Sequence, residues 1–543
     1  MDIHNIQRQE IEKIYGKVSP FEFKNKLINL AQAQKEKSAH TLLDAGRGNP
    51  NWTAATPREA FFNFGLFAVE ETRRVWNDGD LAGMPRKEGI ADRLYEYLQK
   101  HKDMPGTTLL TNIIDYGIKR QGFDDDSWVF ELADAIIGDN YPVPDRMLIH
   151  IESIVHEYLV QELCYNKPPV GKFNIFAVEG ATAAMCYIFD SLIANELLVP
   201  GDKIALMVPV FTPYLEIPHL PRYNFEVVYI SATELTNDGT HTWQYPKAEL
   251  NKLMDSSIKA LFVVNPSNPP SVAIKPDTVE QLVHIVENCN QKLMIISDDV
   301  YCTFVDNFRS LMADLPYNTI GVYSFSKYFG VTGWRLGTIV LQEDNIFDKL
   351  LKELSEKKKI ELRQRYGALS IHPDDIAFID RIVADSRQVA LNHTAGLSTP
   401  QQVQMAFFCV FALLDSENKY KKQTKDICRR RQKLLFKGLG LDLMNNPYDA
   451  AYYTEFDLLE WAICYYGHEF GEYLQKEYKP VDILYRLAEE SSIVLLSGGG
   501  FQGPEWSIRI SLANLNDEAY SKIGEALHKI LEEFVASWKG SVN

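Results

Sequence analysis

The chain lacks any run close to the roughly 18 continuous apolar residues that a membrane-spanning helix requires. Its opening, MDIHNIQRQEIEKIYGKVSP, carries no basic-then-apolar leader pattern. Both absences lead to the expectation of a cytoplasmic protein. Cysteine is sparse, with seven residues (Cys164, Cys186, Cys289, Cys302, Cys409, Cys428 and Cys464) and no CxxC pair. An odd, scattered set argues against a disulfide framework and against zinc-ligand spacing, so the expectation is reduced thiols packed in the core and no metal. Positive charge is short as well. The 56 Lys and Arg against 73 Asp and Glu leave a formal net charge of −17, a field that repels nucleic acid and anionic membranes and excludes both as expected partners. Tandem repeats and low-complexity stretches are missing too.

What remains is the composition of a packed enzyme: 46% hydrophobic and 24% charged over 543 residues, with 28 Phe and 27 Tyr. That length suggests two to four structural units. The first forty residues read as amphipathic helix, after which LLDAGRGNPNW turns rich in glycine, proline and asparagine, a loop that must approach something closely. Charged helical segments follow to about residue 165.

From residue 173 the rhythm becomes strand, turn, helix: FNIFAVEG, KIALMVPVF, FEVVYIS, ALFVVNP, LMIISDDVY and TIGVYSFS. Short apolar runs alternating with helical patterns predict an α/β fold, a mostly parallel sheet wrapped by helices. Ligands on such sheets sit at the carboxyl ends of the strands. The chemistry is therefore expected at residues 180–182, 211, 265–268, 298–301 and 324–327. Residues 345–390, including DKLLKELSEKKKIELRQRYG, are helical and very charged, which predicts a solvated insertion or an oligomer contact. Alternating short strands and helices near the C-terminus predict a smaller α+β unit.

The segment SFSKYFGVTGWRLG, residues 324–337, is the strongest signal. A strand ends in Ser324 and Ser326, whose hydroxyls can donate to a phosphate, and Lys327 follows at once. Gly330 and Gly333 permit close turns, and Arg335 offers a planar fork for a phosphate. A neighbouring cation favours the neutral, imine-forming amine of Lys327.

This string resembles the SxSKxxGxxGxRxG signature of the fold-type-I aminotransferase superfamily, and other motifs arrive in that family's order. The resemblance implies pyridoxal 5′-phosphate as cofactor, held by Lys327 as a Schiff base. It also implies a seven-stranded, mostly parallel sheet in a large domain at 61–425, with insertions near 60–165 and 345–390. A small domain at 426–543 and an N-terminal arm at 1–60, reaching the small domain and the active-site loop, complete the expected organisation. In EGATAAM, Ala181 and Thr182 would bind the phosphate at a helix N-terminus, beside Ser324, Ser326 and Arg335. In PVFTPY, Phe211 would stack on the ring. NPSNPPS resembles NPxNPTG, which assigns Asn268 to the ring's 3′ oxygen and to the substrate side, although PPS replaces PTG. ISDDVY resembles DExY, which assigns Asp298 to the pyridine nitrogen and Tyr301 to the 3′ oxygen. Arg509, in SGGGFQGPEWSIRISLAN, takes the place of the clamp on the substrate α-carboxylate. Tyr141, in GDNYPVPDRML, matches a tyrosine that reaches the phosphate of a neighbouring subunit and implies at least a dimer.

The insertions, with DAGRGNPNW, IGDNYPVPDRML and NPSNPPS, are similar to the branch of that superfamily that removes the β-carboxylate of L-aspartate. The implied reaction yields L-alanine and CO2, with aspartate transamination to a 2-oxo acid as a side activity and a homo-oligomer larger than a dimer. A second cation is then expected near the distal carboxylate, with Arg47 of the GRGNPNW loop as the candidate. A firm grip on that carboxylate would oppose its loss, so the contact should be loose. An ordinary aspartate or aromatic aminotransferase would share every cofactor residue. A transcription regulator with an aminotransferase-like domain would need a basic DNA-binding segment, which the first hundred residues do not supply.

Overall fold

Apolar residues fill most of the runs FNIFAV, IKALFVV and GTIVLQ, and their β-branched and aromatic members suit a pleated surface covered on both faces. In the computed structural model, which describes residues 19–35, 42–76, 81–236, 239–387 and 395–542, they form the central sheet. The strands in chain order are β1 (Leu43–Asp44), β2 (Phe173–Val178), β3 (Lys203–Val208), β4 (Glu226–Ser231), β5 (Ile258–Val264), β6 (Met294–Asp298), β7 (Thr319–Ser324) and β8 (Gly337–Gln342). After them come β9 (Tyr453–Asp457), β10 (Ile493–Val494), β11 (Leu496–Ser497) and β12 (Ser507–Ser511).

Seven strands make one sheet in the order β2-β8-β7-β6-β5-β3-β4, in which β8 alone runs antiparallel to its neighbours. Alternate residues of each strand enter different cores. In β3, Ile204, Leu206 and Val208 pack with Met185, Ile188 and Phe189 of the helix Ala181–Ala194, whereas Ala205 and Met207 pack with Leu282 and Ile285 of the helix Pro276–Asn288. This double burial explains why the strands read as continuous apolar runs. The carboxyl ends of β3, β5, β6 and β7 open on one edge, and the turn after β2 joins them there because β2 shares their direction.

The helices Ala55–Arg74, Thr107–Asp115, Asp125–Ile137 and Ile149–Cys164 pack with the helix Thr399–Leu414. The segment at 345–390 departs from its expected solvated character. Its described part holds Tyr366, Phe378, Ile379 and Ile382 in the same core as the helix Ala181–Ala194. Asp385 there accepts from Ser191 (2.8 Å), Asn195 (3.1 Å) and Tyr366 (2.8 Å) and pairs with Arg365. Charge at this sequence density marked one face of each helix, and the other face is core. Cys464 is exposed and Cys186 and Cys289 are half-buried, so core packing describes only Cys164, Cys302, Cys409 and Cys428.

A second sheet, β11-β12-β9, is antiparallel, and β1 pairs in parallel with β10. The helices Lys419–Leu439 and Asp517–Val542 cross against each other where Gly524 approaches Leu435, so closely that a side-chain carbon on Gly524 would stand 2.3 Å from that residue's carbonyl oxygen. The N-terminal helical expectation is met over Pro20–Lys35; residues 1–18 and 36–41 lie outside the described residues. Among the described residues no helix is long and apolar enough to cross a membrane.

Candidate active site

The strand ends converge on a cavity of about 360 Å³ lined by Ala181, Thr182, Phe211, Asn268, Asp298, Tyr301, Ser324, Ser326, Lys327, Arg335, Arg47 and Arg509. Tyr141 does not line it; this side chain is 65% exposed on its loop. The cavity also takes in Phe21, Lys24, Gly48, Tyr214 and Tyr453, which the motifs did not single out.

At one end, Gly180 (φ +84°) turns the chain from β2 into the helix Ala181–Ala194, aiming the helix N-terminus at the cavity. A side-chain carbon on Gly180 would stand 2.6 Å from Arg335 Nη2. Arg335 itself sits in the left-handed region (φ +56°) and donates to the Glu179 carbonyl (3.0 Å) and the Thr332 carbonyl (3.2 Å). The Ser324 hydroxyl donates to the Ser326 hydroxyl (3.0 Å). A helix N-terminus, a fixed guanidinium and two hydroxyls form a donor set suited to a phosphate dianion.

In the middle, Asp298 ends β6 fully enclosed, accepts from the Tyr214 hydroxyl and from the Val300 amide (3.2 Å), and has no ion pair among the described residues. Burial pushes its carboxyl up to about 6, even though Tyr214, Val300 and Lys327 favour the charged form. A protonated ring nitrogen is the kind of partner that such a carboxylate lacks. Asn268 donates weakly to the Tyr301 hydroxyl (3.4 Å), and its buried Oδ1 has no partner. Lys327 is half-buried, and its Nζ donates to the Gly48 carbonyl (3.0 Å), which also accepts from the Tyr452 hydroxyl (2.8 Å). With Phe211 beside them, these groups fit the ring, the 3′ oxygen and the aldehyde carbon of pyridoxal 5′-phosphate.

At the other end, Arg509 is 1% exposed and its Nε and Nη1 have no partner. Its guanidinium carbon lies 3.9 Å from the Tyr453 ring centroid and 5.5 Å from that of Phe501. A buried cation with unused donors costs several kcal/mol unless a ligand meets it, and a carboxylate matches its fork. Nearer the mouth, Arg47 is 62% exposed on the side chain and lies 3.3 Å from Asp44, which also faces Lys24 Nζ at 3.9 Å. Burial lowers the Lys24 ammonium; Asp44 opposes this, while Arg47 and Arg509 lower it further. The loop of Arg47 lies directly on the turn after Lys327, so that a side-chain carbon on Gly330 would stand 2.1 Å from the Trp52 carbonyl oxygen.

The overlooked residues have local signals of unequal strength. Tyr214 follows Phe211 by one helical turn, a spacing that puts both on one face. Lys24 lies on the polar face of an amphipathic helix and Tyr453 opens a strand distant in sequence, and neither position announces a cavity.

The sequence profile of aminotransferase class I and II matches residues 177–527. The chain is 45% identical over 524 residues to the bifunctional aspartate aminotransferase and L-aspartate beta-decarboxylase of a Pseudomonas species, an alignment spanning 96% of this chain and 97% of that protein. Among solved structures it resembles the aspartate aminotransferase from Rhizobium meliloti, with TM-score 0.57 and 16% identity over 93% of this chain and 95% of the other. It also resembles Pyrococcus protein-A1, with TM-score 0.57 and 18% identity over 94% and 96% of the two chains. At such identities these two structures speak to fold alone.

Proposed function

We propose that this chain, which belongs to the aminotransferase class I and II family, removes the β-carboxylate of L-aspartate to give L-alanine and CO2, with aspartate transamination as its second activity. Pyridoxal 5′-phosphate is the cofactor, and it supplies an electron sink for the pair released at the substrate carbon. The observation that carries the substrate assignment is the placement of cations. One cavity holds a buried Arg509 with unused donors and, at its mouth, Arg47 and Lys24 sharing a single carboxylate, Asp44. Two cationic poles suit an amino acid with two carboxylates.

Each residue then has a task. Arg509 grips the α-carboxylate. Lys327, tethered to the Gly48 carbonyl, holds the cofactor and moves the proton at Cα. Asp298 keeps the ring nitrogen protonated, Asn268 and Tyr301 take the 3′ oxygen, and Phe211 covers the ring. The 181–182 amides, Ser324, Ser326 and Arg335 anchor the phosphate. Arg47 and Lys24 orient the β-carboxylate, and because Asp44 competes for both cations, the grip is loose enough to let CO2 leave. Tyr141, exposed in this chain, is assigned to the phosphate of a neighbouring subunit in a homo-oligomer of at least two chains. The physiological partners are L-aspartate and 2-oxo acids in the cytoplasm.

The test is to supply the cofactor-loaded protein with L-aspartate labelled at the β-carboxyl carbon and to follow CO2 beside alanine. Stoichiometric release of both is the expected result. Oxaloacetate formed only when a 2-oxo acid is added, with no early CO2, would make the protein an ordinary aspartate aminotransferase.

A further inference from the structure

Loss of CO2 breaks the Cβ–Cγ bond and leaves its electron pair on the substrate side, so release of alanine requires a new C–H bond at Cβ. Lys327 already has the proton at Cα to move. The second transfer takes place one carbon away and needs a donor that reaches that carbon. We propose that Tyr453 is the catalytic acid that protonates Cβ, an assignment that rests on the decarboxylase reading above.

Tyr453 is 1% exposed, lines the cavity and has its hydroxyl 3.1 Å from the Tyr301 hydroxyl. A side-chain carbon on Gly48 would stand 2.6 Å from Tyr453 Oη and 3.3 Å from Lys327 Nζ, so the phenol and the amine address the same small volume. The Tyr453 ring also supports the Arg509 guanidinium. A substrate gripped there by its α-carboxylate presents Cα and then Cβ in sequence to the lysine and tyrosine. The backbone is fixed on the other side. Ser271 Oγ accepts from the amides of Tyr452 (3.1 Å) and Tyr453 (3.3 Å), and the Tyr452 hydroxyl is committed to the Gly48 carbonyl. Tyr453 is thus left as the oriented hydroxyl on this wall.

Its surroundings suit proton release. The titratable and charged groups around it are Lys327, Arg509, Tyr301, Tyr452 and Cys428. Burial pushes the phenol up, but the cations of Lys327 and Arg509 and the Tyr301 hydroxyl outweigh that and bring it below the ordinary tyrosine range. In the step itself the Tyr453 O–H bond breaks, the proton joins Cβ, and the phenolate is stabilised by the two cations. The phenolate then takes a proton from solvent water, the one proton that conversion of aspartate to alanine and CO2 consumes, and Lys327 returns to Cα the proton it removed.

Tyr453→Phe keeps the ring beside Arg509 and removes the acid. In single-turnover experiments the variant should release CO2 from labelled aspartate while alanine lags, with steady-state alanine formation at least fiftyfold slower and transamination reduced no more than fivefold. Equal losses in decarboxylation and transamination, or unaltered alanine formation, would each overturn the assignment. Failure of the parent protein to release CO2 would instead sink the decarboxylase reading and is read in the same assay.

Discussion

Arg509 is the residue whose environment asks most plainly for a ligand. It is enclosed by Tyr453, Phe501 and Phe21, and two of its donor nitrogens have no partner. Truncation of one partner of a buried charge pair costs ~2–5 kcal/mol, so Arg509→Ala should lower kcat/KM for aspartate by roughly 30-fold to over 1000-fold. The cofactor absorbance should survive, because the residues around ring and phosphate are untouched. Arg509→Lys should rescue little, since an ammonium cannot form two parallel bonds to a carboxylate. Steady-state kinetics on aspartate and on an amine lacking the α-carboxylate separate the cases: an equal loss on both substrates would remove Arg509 from the α-carboxylate site. The arginine was legible in SIRIS because a glycine–phenylalanine turn precedes it. Tyr453, beside it in space, was not, since its contact with Arg509 arises only when β9 and β12 pair, with Ser511 opposite Tyr453.

At the scale of elements, the departure of NPSNPPS from its resemblance proves to be a junction. Ser271 sits at φ +67°, a left-handed conformation that glycine adopts without strain, and its hydroxyl accepts two amides from the start of β9. A glycine could make the turn but could not make those bonds. Ser271→Gly relieves the backbone but leaves two buried amides unsatisfied, and Ser271→Ala loses the same bonds and keeps the strain. Stability should therefore rank parent above Ser271→Gly above Ser271→Ala. The first gap should be a few kcal/mol, at ~1–3 per unsatisfied amide, and the second about 1 kcal/mol. Urea-denaturation midpoints check the order, and an alanine variant as stable as the parent would show that the junction carries no weight. The cofactor edge of the sheet was readable because each of its motifs is contiguous, from Gly180 to Lys327. The substrate side was only partly so: Arg47 and Arg509 lie in recognisable loops, whereas Lys24 reaches the cavity by the docking of the helix Pro20–Lys35 near β10 and β11.

At the scale of the whole molecule, the charge pattern misleads where it is read along the chain and informs where it is read in depth. Residues 345–390 look solvated in sequence, yet one side of their helices closes the core over the sheet, because only alternate helical faces carry the charge. Depth also governs how stability responds to pH. Burial is the main cause that pushes two enclosed carboxyls, Asp299 and Glu455, up to about 7. These groups keep protons in the folded state that the unfolded chain releases near pH 4, so their contribution to stability is fullest below the ordinary carboxylate range. It falls as pH rises through that range and levels off above about 7. Glu71 and Asp517, held low by Arg74, Arg93, Arg430 and Arg431, act in the opposite sense, and their stabilisation disappears as pH drops below about 4. Asp299→Asn isolates one of the buried carboxyls. Ser297 donates to one carboxylate oxygen at 2.8 Å and Ser310 to the other; an amide keeps one acceptor, and a serine hydroxyl can turn to accept from its nitrogen. The variant carries no charge to bury. Each tenfold rise in proton affinity on folding is worth about 1.4 kcal/mol, so relative to the parent the variant should gain roughly 4 kcal/mol between pH 4 and pH 8. Urea midpoints of the two loaded proteins at both pH values measure this gain. A gap that does not change with pH would mean that Asp299 is ionised throughout and that the two serines, rather than a retained proton, stabilise it.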